Sequence, residues 1–241
     1  AQGGAIWYRA DRVVMQDSTA PAALLQLRAA GCERSALPGS IHCDHLLTAD
    51  GARSEETQAT IEYLTAAARR YGLDFWGPGT GIIHQVVMEH YAFPGGLLIG
   101  TDSHTSHAGG LSMLAMEVRV AQAVEALAGK AGALPAPELV GIRLTGALRG
   151  WASAKDVILK MFGMLAIGGA TDTVIEFFGP GASSLSCSGK ATITNMGSEL
   201  GAAASIFPFD PGMHSYLCAL GRQDLAEQAR RARAELCADE A

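Results

Sequence analysis

Residues 75–108, FWGPGTGIIHQVVMEHYAFPGGLLIGTDSHTSHA, constrain this chain more than any other stretch, because they set titratable side chains in an apolar, glycine-rich frame. Gly77-Pro78-Gly79 with Gly81 forms one turn and Pro94-Gly95-Gly96 another. Between the turns lies the apolar run 82–87 with His84 inside it, and after them Leu97-Leu98-Ile99-Gly100 reads as a short buried strand. That strand ends in Thr101-Asp102-Ser103-His104-Thr105, so a carboxylate, a hydroxyl and an imidazole leave it together. Strand ends of α/β sheets line a crevice, and such a group predicts a site there. Taken singly, His84 and His104 read equally well as satisfied core histidines and Asp102 as the cap of the next helix.

Function classes are narrowed by charge. With a net charge of −6 and no basic stripe, the chain has no counterion-displacing surface for nucleic acid. No apolar run is long enough to cross a bilayer, and the first residues lack a charged segment followed by an apolar one, so a cytoplasmic protein without membrane contact is expected. The five cysteines, Cys32, Cys43, Cys187, Cys218 and Cys237, are scattered and never form C-x-x-C. Neither a disulfide scaffold nor a complete zinc or iron–sulfur site of closely spaced thiolates is expected.

The 241 residues suffice for one large or two small domains, with ample material for a core. Short strands are predicted at 6–8 and 12–15, then a helix over 20–30 with proline in its first turn and Gly31 as its stop. Gln16 and Asp17 sit just before that helix, where backbone amides would help to hold an anion. The segment 40–47 contains His42-Cys43-Asp44-His45; as a metal signature it is weak, but Asp44 and His45 make a plausible acid–base pair, since a carboxylate fixes an imidazole's tautomer. Residues 55–71 form the clearest amphipathic helix, acidic at its start and basic at its end. Further expectations are a helix over 111–127, a strand at 139–146 in a hairpin with 148–151, a helix over 154–165, and strands at 174–178 and 205–209. Residues 187–201 suit a close-packed helix with Asn195 and Glu199 on one face, and 213–241 a helical tail.

These residues resemble the N-terminal part of the aconitase family of hydro-lyases and isomerases, which includes the isopropylmalate and homoaconitate isomerases. The matching pieces run in the family's order: DRVVMQDSTA from Asp11, IHCDHL from Ile41, FWGPGTGIIHQ from Phe75, GTDSHT from Gly100, LTG from Leu144, KDVIL from Lys155, GPG from Gly179, NMGSELG from Asn195 and FP from Phe207. The resemblance implies an α/β fold with mainly parallel sheets flanked by helices, divided at 1–135 and 136–241, the second part being an incomplete α/β unit with a helical tail. Carried over by position, it implies that Gln16 and Ser103 touch substrate and that Asn195 lies near the cofactor. It also implies that Asp44 pairs with His45, Asp102 with His84 and Glu199 with His104, each pair handling protons at the hydroxyl that leaves or enters. Tuned imidazoles suit that task near neutral pH.

The family's [4Fe–4S] cluster is held by three cysteines that lie downstream of the matched region, as do most of the substrate-clamping arginines and the serine base. Cys43 and Cys187 stand where relatives carry cysteines that are not cluster ligands. After Thr105 the family has Pro-Asn and a glycine-rich helix start, whereas here Ser106-His107 occurs, and His107 takes the place of an asparagine near the cofactor. It reads either as a fourth imidazole facing substrate or as a solvated loop residue. The expectation drawn is a truncated enzyme that works without a cofactor or metal, carrying out acid–base dehydration, double-bond isomerisation or cyclisation of a small carboxylate-bearing molecule, in specialised biosynthesis. Its alternatives are one subunit of a split enzyme whose partner chain completes a [4Fe–4S] site, and a non-catalytic binding module. Surface left by the missing domains leads to the expectation of a homodimer.

Overall fold

A computed structural model describes residues 4–47, 54–165 and 168–238. In chain order the elements are β1 (Ala5–Tyr8), β2 (Arg12–Gln16), α1 (Ala20–Ala29), β3 (Gly39–His42), α2 (Glu55–Tyr71), β4 (Asp74–Trp76), α3 (Ile83–His90), β5 (Leu97–Gly100), β6 (Leu114–Glu117), α4 (Val120–Leu127) and β7 (Gly132–Pro135). Then follow β8 (Glu138–Arg143), α5 (Ala154–Leu165), β9 (Thr173–Phe178), α6 (Pro180–Ser183), α7 (Cys187–Asn195), β10 (Ala204–Ile206), α8 (Pro211–Ala219) and α9 (Gln223–Arg231). The class is the α/β one expected. The chain forms two compact units, one of Ala1–Val86, Leu97–Ser103 and Glu117–Pro135, the other of Val87–Gly96, His104–Met116 and Ala136–Ala241.

The first unit is built on neighbouring strands in the order β4-β3-β2-β5, in which β2 pairs with β3 and β5, and β3 with β4, all parallel. Its middle strand shows why: Val13, Val14 and Met15 are all buried, the continuous apolar run of a strand covered on both faces. Helix α2 lays Ile61, Leu64, Ala67, Ala68 and Tyr71 inward. Ser54 caps its start by accepting from Thr57 N at 3.1 Å, and Gly72 ends it at φ 71°, a left-handed conformation open to glycine at no steric penalty. Register brings Gln16 beside His42 and Val14 beside Gly100. The C-terminal ends of β2, β3 and β5 therefore release Asp17, Asp44-His45 and Asp102 at one edge of the sheet.

In the second unit β8, β9 and β10 form a parallel sheet of order β10-β9-β8. Phe177 stacks on Phe207 with ring centroids 4.4 Å apart. Residues Thr105–Leu111 wind as a 3-10 helix against α7. Glycine is required there: a Cβ at Gly110 would fall on the backbone of Ala191, and one at Gly109 on the carbonyl oxygen of Ser205.

Several expected elements differ. The helix over 111–127 is instead the end of that 3-10 turn, then β6, then α4. Ser112 at φ 59° breaks the backbone, and Arg119 and Gln122 cap a new start, so the helical period read across 111–118 belongs to a buried strand. No hairpin forms between 139–146 and 148–151, because Gly146 and Gly150 turn at φ 75° and 59° and β8 pairs with β9 in parallel. Asn195 and Glu199 do not share a helical face: α7 stops at Asn195, and Glu199 belongs to the separate 3-10 turn Ser198–Leu200. The tail is broken into α8 and α9 by Gly221 at φ 74°.

Candidate active site

His45 is the centre of the first unit's polar edge. Its Nδ1 lies 2.6 Å from Asp44 Oδ1, and the other oxygen of Asp44 accepts from the backbone N of Ile83 at 2.6 Å. Asp44 is thus fixed by the first residue of α3. An ionised carboxylate accepts only, so the hydrogen on Nδ1 points to Asp44. Nε2 faces Asp102 Oδ2 at 3.5 Å, and Asp102 Oδ1 lies 3.6 Å from His84 Nε2. Asp44, His45, Asp102 and His84 therefore form one alternating line of carboxylates and imidazoles. The acids are buried, whereas the His45 side chain is 41% exposed and can meet a ligand.

Beneath this line lies Asp17, fully buried, which accepts from His45 N at 3.1 Å and Leu46 N at 3.0 Å. Sequence reasoning assigned it to the start of α1; instead it holds the loop that carries His45. The signal available was a carboxylate directly after the strand that ends in Gln16. Asp17, Asp44 and His45 also offer ligand atoms within 4.8 Å of one another, a set that could hold a cation, although both Asp17 oxygens already serve backbone amides. Gln16 donates from Nε2 to Thr101 O at 3.4 Å, and its buried Oε1 has no hydrogen-bond partner among the described residues. An acceptor left so is suited to a ligand donor. Ser103 is exposed beyond β5.

His42, three residues before His45, goes elsewhere. It is fully buried, with Nε2 2.9 Å from Ser40 Oγ and its ring parallel to Trp76 at 6.2 Å. Burial, then the nearby charges of Arg12 and His84, push its pKa down to about 3, so it is a neutral core histidine.

The second unit carries its own pair, His104 Nε2 3.6 Å from Glu199 Oε1, both side chains reachable from solvent. His107 Nδ1 lies 3.1 Å from Asn195 Nδ2. Thr194 Oγ1 donates to His107 O, and Ser106 Oγ donates to Thr194 O at 2.8 Å, so the end of α7 fixes the turn that bears His107. His107 is therefore anchored rather than a free loop residue.

The cysteines do not make a cluster site. Cys43 and Cys187 are buried, Cys32 and Cys218 half-buried and Cys237 exposed, and no converging set of metal-ligating atoms among the described residues includes a thiol. Burial pushes the Cys187 thiol up to about 12, which keeps it protonated.

Residues 1–241 match the family model described as "Aconitase family (aconitate hydratase)". The chain is 49% identical over 236 residues to "Probable aconitate hydratase, mitochondrial" of Dictyostelium discoideum, covering 95% of this chain and 31% of that protein. It is also 49% identical to "Aconitate hydratase, mitochondrial" of Schizosaccharomyces pombe and of Aspergillus fumigatus, in each case over 96% of this chain and 30% of the relative. The chain thus spans about a third of the length of these relatives. These matches correct the expectation of an enzyme needing no cofactor, because the relatives belong to a family of [4Fe–4S] enzymes, although the residues described here form no thiolate set of their own. Matched from its first residue to its last, this chain belongs to the aconitase family.

Proposed function

We propose that this chain supplies proton-handling residues of a [4Fe–4S] hydro-lyase or isomerase that adds water to, or removes it from, a small carboxylate-bearing molecule. Aconitate is the first candidate, from the names of the relatives. The cluster's thiolates come from polypeptide outside these 241 residues. The observation that carries the reading is the line Asp44, His45, Asp102 and His84, with each imidazole beside a buried acid. His45 takes or gives a proton at Nε2 while Asp44 holds the ring, and Asp102 faces both imidazoles as a fixed anion. In the second unit His104 with Glu199 performs the same kind of transfer, and Gln16, Ser103, His107 and Asn195 orient substrate. Support for docked polypeptide comes from the apolar side chains that the second unit leaves exposed, Leu139, Leu148, Trp151, Leu159 and Met164.

The reading is tested by joining this chain to the remaining part of the Dictyostelium relative and following hydration of aconitate after cluster assembly. Turnover is expected, and replacing His45 or His104 by Asn is expected to lower it by roughly a hundredfold or more with the cluster retained. A folded, cluster-loaded hybrid that does not turn over, or one indifferent to both substitutions, refutes it.

A further inference from the structure

A second constellation lies in the helical hairpin of α8 and α9, within the second unit. His214 and Cys218 are four residues apart on α8 and so share a face. Cys218 Sγ stands 3.8 Å from His214 Nδ1, and His214 Nε2 stands 3.0 Å from Glu227 Oε1 on α9. Glu227 Oε2 is gripped by Arg230 through Nε at 2.9 Å and Nη2 at 2.8 Å. Those hydrogen bonds, from Arg230 first and His214 second, hold the Glu227 carboxyl down at about 2. An ionised carboxylate leaves the hydrogen of a neutral His214 on Nε2 and turns the lone pair of Nδ1 toward the sulfur. The order is thiol, base, orienting acid, with the ring presenting opposite nitrogens to its two partners. That is the layout of an activated nucleophile. It is not a chelate: these residues are absent from the converging sets of metal-ligating atoms among the described residues.

We infer that Cys218 is a reactive thiol, activated by His214 and Glu227, that exchanges with low-molecular-mass disulfides. In the step, the Cys218 proton passes to His214 Nδ1 and the sulfur attacks one sulfur of the disulfide. The S–S bond of the reagent breaks as the mixed disulfide forms, and the departing thiolate takes the proton back from His214. No net oxidant is consumed beyond the disulfide itself. The half-buried position of Cys218 leaves it reachable, whereas Cys43 and Cys187 are enclosed. Cys237 is the natural reference, being the exposed thiol, and its Sγ donates to the carbonyl of Ala234 at 3.0 Å.

A base held beside a thiol, itself oriented by a carboxylate, speeds attack of the sulfur on a disulfide relative to a thiol that has no such base. The full chain is treated with oxidised glutathione and the rate of mixed-disulfide formation at each cysteine is followed by peptide mass spectrometry. Cys218 is expected to react faster than the more exposed Cys237, and His214→Gln to slow Cys218 by about threefold or more with Cys237 unchanged. Glu227→Gln should slow Cys218 as well. If His214→Gln unfolds the chain, Cys43 and Cys187 become reactive, and Glu227→Gln then decides. Cys237 outpacing Cys218, or a Cys218 rate unmoved in a folded variant, overturns the assignment.

Discussion

Asp17 offers the sharpest test of how the first unit builds its site. The side chain is fully buried and spends both oxygens on backbone amides of the loop after β3, His45 N at 3.1 Å and Leu46 N at 3.0 Å. Hydrogen bonds to a charged group contribute about 1.5–3 kcal/mol each, and a buried donor left unmet costs about 1–3 kcal/mol. Asp17→Ala removes two such bonds at once. The loop is only part-buried, and water will reach one amide, so the expected loss is about 3 kcal/mol, a large share of a typical ~5–15 kcal/mol total. Asp17→Asn keeps one acceptor but turns an amide N–H toward the second donor, so about half that loss is expected.

Urea unfolding followed by circular dichroism measures both variants against the parent chain. The two should fall in the order parent, Asn, Ala, with the slope of the transition unchanged. Proton chemical shifts of the His45 ring report separately whether Asp44 still holds it. A loss below about 0.5 kcal/mol for Asp17→Ala, the size of an ordinary surface change, would refute the claim that this carboxylate secures the loop.

Two further perturbations follow. Gly110→Ala sets a Cβ on the backbone of Ala191, where no side chain can yield, so the turn bearing His107 must leave α7; a drop of about 2–3 kcal/mol in the same unfolding assay is expected, and an unchanged midpoint would deny the close approach. His42 titrates at about 3 when folded and near 6.5 when unfolded, so the unfolded chain binds the extra proton between those values. Stability contributed by His42 is therefore intact above the upper value and falls, as pH drops below it, by up to about 1.4 kcal/mol per pH unit. His42→Gln should flatten that part of the stability–pH curve, and an equally steep curve in the variant counts against a neutral buried ring.

Legibility in the sequence followed the strength of local signals. Strand β2 was readable because Val13-Val14-Met15 is a run that only a strand covered on both faces needs, and α2 because its cap, charges, apolar stripe and terminal glycine agree. The stretch after Leu111 was misread for a specific reason: Leu114 and Val118 fit a helical spacing, yet Ser112 adopts a left-handed backbone that no propensity rule assigns to serine. The partners Asp44 and His45 are neighbours in sequence, so their pairing was open to local reasoning. The reach of Asp17 to a loop 28 residues away depends on which strands pair, and pairing β2 with β3 is a long-range outcome. Likewise α7 stops at Asn195, with Met196 N bonded back to Thr194 O, and Glu199 belongs to the separate turn Ser198–Leu200, off the helical face that a spacing of four suggests.

The geometry also orders the roles within the line of acids and imidazoles. Asp44 is tied at both oxygens, to the His45 ring and to Ile83 N, and so is a fixed anchor that has no freedom to meet substrate. Asp102 is different, because it faces two imidazole nitrogens at 3.5 and 3.6 Å, distances that leave each contact loose. A ligand hydroxyl arriving at His45 Nε2 would displace the weaker of these contacts and not the tighter one at Nδ1. Under the proposed function the half-exposed ring would exchange its proton with the ligand while its orientation, set from the buried side by Asp44 and Asp17, stays unchanged. Loss of Asp44 should therefore misplace the ring, and loss of Asp102 should alter the charge it faces while leaving the ring in place.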